Sequence, residues 1–181
     1  MIEKTIGHPA FQVRDLFERF LPEEKRVQKL GANIKPEVIL ALKGDAASGR
    51  KIFFQEGVQC SRCHRINGEG TDFGPDLSQI AKKYDRPQIL ENILFPSKIV
   101  EPNFIAYSIE TKDDLSYSGL ILKRTAEEIV FKDSTAKEIH LRAGDVKSVQ
   151  AQSLSVMPEL LLQALTAQDV ADLLEYLSSL R

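Results

Sequence analysis

Cys60-Ser61-Arg62-Cys63-His64 is the stretch that decides how this chain is read. Two cysteines three positions apart, followed at once by a histidine, have the C-x-x-C-H spacing of covalent haem attachment. About one helical turn separates the cysteines, so both sulfurs can face the two vinyl carbons of one porphyrin edge. His64 comes next, and its imidazole can reach the iron from the proximal side. These are the only two cysteines in the chain. An all-cysteine zinc site is therefore excluded, and a mixed one would need His8 or His140 to fold back onto the pair. A thioredoxin-like dithiol belongs at the end of a strand that opens a helix, whereas Gly49–Phe54 before this pair reads as helical.

The rest of the composition is ordinary. The chain has 181 residues, of which 43% are hydrophobic and 28% charged, so one globular domain or one domain with an insert is expected. A net charge of −2 points to neither nucleic acid nor an anionic membrane surface as partner. No apolar run approaches the length of a membrane span, so no membrane insertion is expected. Residues 1–20 carry Glu3, Lys4, Arg14, Asp15, Glu18 and Arg19 and lack the apolar core of a signal peptide. Covalent haem attachment is normally completed outside the bacterial cytoplasm. The expectation is therefore an exported, periplasmic location for a piece of a longer protein.

Periodicity divides the chain. Residues 9–43 read as two or three short helices: a stripe of Phe11, Val13, Leu16, Phe17 and Phe20, a second run through Val27 and Leu30 to Gly31, and a third opened by Pro36. Gly44 can close that helix and Asp45 can cap the next, which is expected over 46–56 with Gly49, Ile52 and Phe53 on one face. Near the other end, Thr166-x-x-Asp169 forms a capping box. Val170, Leu173, Leu174, Leu177 and Leu180 then form an apolar stripe at helical spacing, with Tyr176 at its edge. Between these parts the period changes to two. Residues 104–111 and 115–123 alternate around Lys112-Asp113-Asp114, residues 127–132 and 137–141 form a second hairpin, and a last strand runs over 145–150. The reading is mainly α with a β insert: helical lead-in 1–43, haem domain 44–100 and 151–181, antiparallel insert 101–150.

A haem iron bound by His64 has one more axial position. Thioether sulfur suits low-spin haem, and the methionines are Met1 and Met157. Met157 precedes Pro158, which pushes it toward extended geometry, as a loop-borne ligand requires. The alternatives are a core-filling methionine, His140 as sixth ligand, or an open five-coordinate site. Phe73-Gly74-Pro75-Asp76-Leu77 follows the haem motif. A proximal imidazole must donate its second N–H to something, and the Pro75 carbonyl on a rigid turn is the candidate acceptor. Leu77 would then line the ring. Arg62, Arg65, Lys82, Lys83 and Tyr84 are candidates for pairing with haem propionates.

An ordered set of stretches carries a wider resemblance: Gly44-Asp45, Gly49-Arg50-x-x-Phe53, Cys60-x-x-Cys63-His64-Arg65, Gly74-Pro75-Asp76-Leu77, Asn92-Ile93-Leu94-x-Pro96-Ser97, Tyr107, Ser118-Gly119, Ser155-Val156-Met157-Pro158 and Leu173-Leu174-x-Tyr176-Leu177. With them the chain resembles the haem-binding domain of the planctomycete/verrucomicrobial type, a branch related to class I cytochromes c. The lead-in from Val13 to Pro22 also resembles that of many members. The resemblance implies a class I cytochrome c-like helical domain with one covalent haem c, interrupted by a small antiparallel sheet, and His64 and Met157 as axial ligands. It also implies a C-terminal position in a large exported protein. Valine at position 156 departs from the leucine common there.

Six-coordinate His/Met iron has no free position for substrate, so an electron-transfer domain is expected rather than an enzyme, alone or as part of a larger oxidoreductase. The implied donor is a dehydrogenase module and the implied acceptor an oxidase or another cytochrome. Two other classes remain open. One is a haem-based gas sensor in which Met157 is displaced. The other is an interaction module, with homodimerisation through 101–150 and a structural haem.

Overall fold

The computed structural model describes residues 16–17, 20–22 and 26–181. The stripe from Phe11 to Phe20 lies largely outside them. The helix expected through Val27 and Leu30 is instead extended chain. Lys29 bridges Thr166, the Leu30 N–H donates to the Leu165 carbonyl at 2.9 Å, and the Gly31 N–H donates to Gln163 at 3.0 Å. A run this short cannot hold a helix by local propensity, and pairing with a neighbouring segment outcompetes it. Gly31 does take the left-handed conformation at φ +61°, but in a turn after this extended segment. The first complete helix, α1 (Pro36–Leu40), opens on its proline as expected and buries Ile39.

Two longer helices organise the helical part. Helix α2 (Ala46–Phe53) is capped by Asp45, whose carboxylate accepts from the Ser48 N–H at 2.8 Å. It ends three residues earlier than expected, because tight turns at Gln55 and Val58 carry Val58 into the core. The last helix, α5 (Ala167–Ser178), starts with the Thr166/Asp169 capping box, both halves of which are formed. Its apolar stripe is buried over Val170, Leu173, Leu174 and Leu177. Packed against Ile52 and Phe53, these residues form one hydrophobic core, and each fully buried leucine contributes about 1.5–3 kcal/mol. The Phe53 and Tyr176 rings meet edge to face at 6.1 Å.

The crossing of α2 over α5 depends on two glycines. A Cβ at Gly49 would lie 2.0 Å from the Asp172 carbonyl oxygen, and one at Gly44 would lie 2.2 Å from that of Ala171. The Asp172 carboxylate also accepts from the Asp45 N–H at 2.9 Å, which ties the start of α2 to the middle of α5. Gly44 therefore serves close approach rather than closure of the preceding helix, which has already ended at Leu40.

Short helices α3 (Ile80–Lys83) and α4 (Arg86–Leu94) complete this part. Asp85 and Gln88 form a capping box on α4, and the Arg86 guanidinium donates to the carbonyls of Leu40 and Leu42. A two-stranded hairpin, β1 (Arg65–Ile66) and β2 (Glu69–Gly70), follows the haem motif.

The alternating region forms β3 (Ala106–Thr111), β4 (Ser116–Arg124), β5 (Glu128–Lys132), β6 (Glu138–Arg142) and β7 (Val146–Ala151). They make one antiparallel sheet in the order β6-β5-β4-β3-β7. The expected turns are present, with Asp114 at φ 62° and Ala136 at φ 61°. One sheet face carries its own apolar cluster of Ile109, Ile129 and Phe131, flanked by Tyr107, Tyr117 and Ile139. Strand is nearly as extensive as helix, so helical character belongs to the part outside the sheet rather than to the chain as a whole.

Gly49→Ala is expected to destabilise the haem-loaded protein by about 2 kcal/mol or more, because backbone rather than a flexible side chain blocks the new methyl. Gly144→Ala meets nothing within 4 Å and should stay within about 0.5 kcal/mol of the parent. Guanidinium unfolding of the two variants checks the contrast.

Candidate functional site: the Cys60–His64 turn and its supporting loop

Cys60–Arg62 forms a single 3₁₀ turn entered through Gln59 in the left-handed conformation. The N–H groups of Cys63 and His64 both donate to the Cys60 carbonyl, at 3.2 and 3.0 Å. The turn thus brings Cys60, Cys63 and His64 onto one short scaffold. Both cysteines are free thiols and half-buried, and Cys60 packs against the helical core. Burial pushes the Cys60 thiol up to about 11 and raises that of Cys63 as well. Reactive C-x-x-C dithiols have lowered values, the opposite direction. Among the described residues, no three His, Cys, Asp or Glu side chains come together in a group that could hold a metal ion. His140 stands on edge strand β6, exposed, with Nδ1 3.4 Å from a Glu128 carboxylate oxygen.

His64 is fixed by its surroundings. Its Nδ1–H donates to the Pro75 carbonyl at 2.8 Å, and because a carbonyl only accepts, the proton sits on Nδ1 and the Nε2 lone pair is left available. Burial holds the imidazole pKa below its ordinary value and so favours the neutral ring, partly opposed by the bond to Pro75. A neutral, singly oriented imidazole is what an axial ligand requires. The loop beneath it is tightly fitted. A Cβ at Gly74 would lie 2.8 Å from the ring carbon Cε1 and 3.0 Å from Nδ1, and one at Gly70 would lie 2.3 Å from the His64 carbonyl oxygen. The N–H groups of Phe73 and Gly74 both donate to the Cys63 carbonyl, at 3.1 and 2.7 Å. The Pro75 acceptor follows from the histidine's need for a partner; the contact of Gly74 with the imidazole depends on how the loop folds back.

The other candidates fall in several places. Leu77 is half-buried against the helical core, with its N–H donating to the Arg65 carbonyl at 2.9 Å. Arg65 pairs with Asp76 at 3.2 Å. Hydrogen bonds from Ser78, followed by those from Arg65, hold the Asp76 carboxyl below the usual range. Lys83 pairs with Glu101 and lies over the Tyr84 ring, while Arg62 and Lys82 are exposed. Met157 is half-buried in the loop between β7 and α5. Its N–H donates to the Ser155 hydroxyl, and the Ser155 N–H donates to the Ser97 hydroxyl, each at 3.1 Å. Those two bonds tie the Met157 loop to the chain leaving α4.

Two free thiols on one turn, a tautomer-fixed histidine beside them and a glycine-lined cradle under its ring fit a covalently attached haem. They define a haem-carrying module. The sequence profile of the cytochrome c family matches residues 46–112. A cytochrome c-553-like protein from Synechocystis sp. is 33% identical over 87 residues, which cover 47% of this chain and 79% of that protein. The chain belongs to the cytochrome c family. It carries a monohaem cytochrome c domain that binds covalent haem c, and electron transfer rather than catalysis is the work of such domains.

Gly74→Ala should destabilise the haem-loaded protein by about 1–3 kcal/mol, because the added methyl meets an imidazole edge that the Pro75 carbonyl already fixes. Unfolding in guanidinium, followed at the haem absorbance, measures it. A variant as stable as the parent would show that the loop yields freely.

Proposed function

We propose that this chain is an exported c-type cytochrome domain that passes single electrons from a dehydrogenase-type donor to a respiratory acceptor. Cys60 and Cys63 hold the haem, His64 and Met157 bind its iron, Pro75 fixes His64, and Leu77 lines the ring. Bound haem c supplies a one-electron Fe(III)/Fe(II) couple. The observation that carries the reading is the His64 Nδ1–H to Pro75 carbonyl bond at 2.8 Å, which leaves Nε2 as the ring's one available donor. The serine ladder from Ser97 through Ser155 to Met157 supports a methionine held in place rather than one readily displaced. Among the described residues no helix is long and apolar enough to cross a membrane. The organisation proposed is lead-in 1–43, haem domain 44–100 and 151–181, and insert 101–150, of the planctomycete/verrucomicrobial type.

The optical spectrum of protein matured by a haem-attachment system tests this. The ferric form should show a weak far-red charge-transfer band from sulfur ligation, lost in Met157→Ala. That variant should also gain ferrous CO binding and lose midpoint potential, since thioether ligation raises it. A high-spin parent spectrum with ready CO uptake would instead support a ligand sensor.

A further inference from the structure

The five-stranded sheet touches the histidine-supporting loop through one lysine. Cross-strand pairing of Ala106 with Leu120 and of Leu120 with Lys132 puts these three side chains on the face opposite the Ile109–Phe131 cluster. From there the Lys132 ammonium donates to the Asp72 backbone carbonyl at 2.7 Å and to the Asp72 carboxylate at 3.1 Å. Its setting differs from that of the chain's other paired lysines. The Lys132 side chain is 15% exposed, against 55–59% for Lys83, Lys98, Lys123 and Lys147. Exposed pairs of the latter kind contribute little. An enclosed ammonium fixed on a peptide oxygen instead sets where that peptide lies.

The held peptide is three residues from the one that matters. Residues 72–75 run as a strap: the Asp72 carbonyl on Lys132, the Phe73 and Gly74 N–H groups on the Cys63 carbonyl, and the Pro75 carbonyl on His64 Nδ1. We propose that Lys132 is a positioning residue for His64, acting through this strap so that the sheet helps set the electron-donor strength of the haem ligand. The inference rests on the reading of His64 as axial ligand. A firm Nδ1–H···O=C bond leaves more electron density on Nε2 and favours Fe(III); a loosened one raises the potential. Charge alone has the opposite sign, because removing a nearby cation favours Fe(III) and lowers the potential.

The test compares haem-loaded parent, Lys132→Gln and Lys132→Arg by redox titration and by amide hydrogen exchange. In Lys132→Gln the Fe(II):Fe(III) ratio at fixed potential should rise about threefold, an upward midpoint shift of about 28 mV at 59 mV per tenfold for one electron. Exchange at Phe73 and Gly74 should quicken, and Lys132→Arg should restore both readings. Asp72→Asn keeps the backbone acceptor and should leave the exchange unchanged. A midpoint that falls or stays put in Lys132→Gln, with exchange unaltered, overturns the proposal while His64 ligation stands. A ferric spectrum unchanged in His64→Ala removes the ligand reading itself and the proposal with it.

Discussion

Everything in the haem-bearing part depends on how closely α2 can approach α5. The helices touch backbone to backbone where Gly49 faces the Asp172 carbonyl, a separation no side chain would permit. That contact sets the direction of α2, and α2 delivers the chain into the Cys60 turn. The buried faces of Phe53, Leu173, Leu174 and Tyr176 supply the free energy, but they could do so at many crossing angles. The glycines and the Asp45–Asp172 hydrogen bond select one. The haem attachment turn inherits its position from this selection.

A second level of order runs from the peptide backbone to the His64 ring. The Cys63 carbonyl accepts from two successive amides, and the loop so anchored presents the Pro75 carbonyl to His64. This arrangement uses no charged partner for the imidazole. A carbonyl acceptor fixes the tautomer while leaving the ring neutral, which suits a carrier that changes oxidation state without moving a proton.

Features that are local in sequence were the legible ones. The C-x-x-C-H spacing, the Thr166/Asp169 capping box, the Pro36 helix start and the strand alternation over 104–150 each reflect physics acting within a few residues, and the structure places each as expected. Even the Pro75 acceptor was readable, because the histidine's need for a partner is a chemical requirement. The failures were long-range. Lys29–Gly31 pairs with Gln163–Thr166, a contact more than 130 positions away that no window contains. Gly44 reads locally as a helix stop, yet its constraint comes from Ala171. Lys132 reads as an ordinary polar residue on a strand, and its carbonyl partner on Asp72 is invisible without the fold. The order of the strands was hidden for a similar reason: the return of β7 to the side of β3 depends on pairing, not pattern.

That return has a consequence of its own. Tyr107 at the start of β3 lies opposite Ala151 at the end of β7, and the Gln152 N–H donates to the Ala106 carbonyl at 2.8 Å. The chain therefore enters and leaves the sheet at neighbouring points. The distance the helical part must span at this junction is the same whether many residues or few lie between, because the ends are already closed by the sheet's own ladder. The sheet is in this sense a cassette: its strands and turns can lengthen, shorten or be remodelled on the far side without asking α4 or α5 to move. The sheet meets the loop that supports His64 through the hydrogen bonds of Lys132, so the helical part can keep its own packing while the far side of the sheet changes.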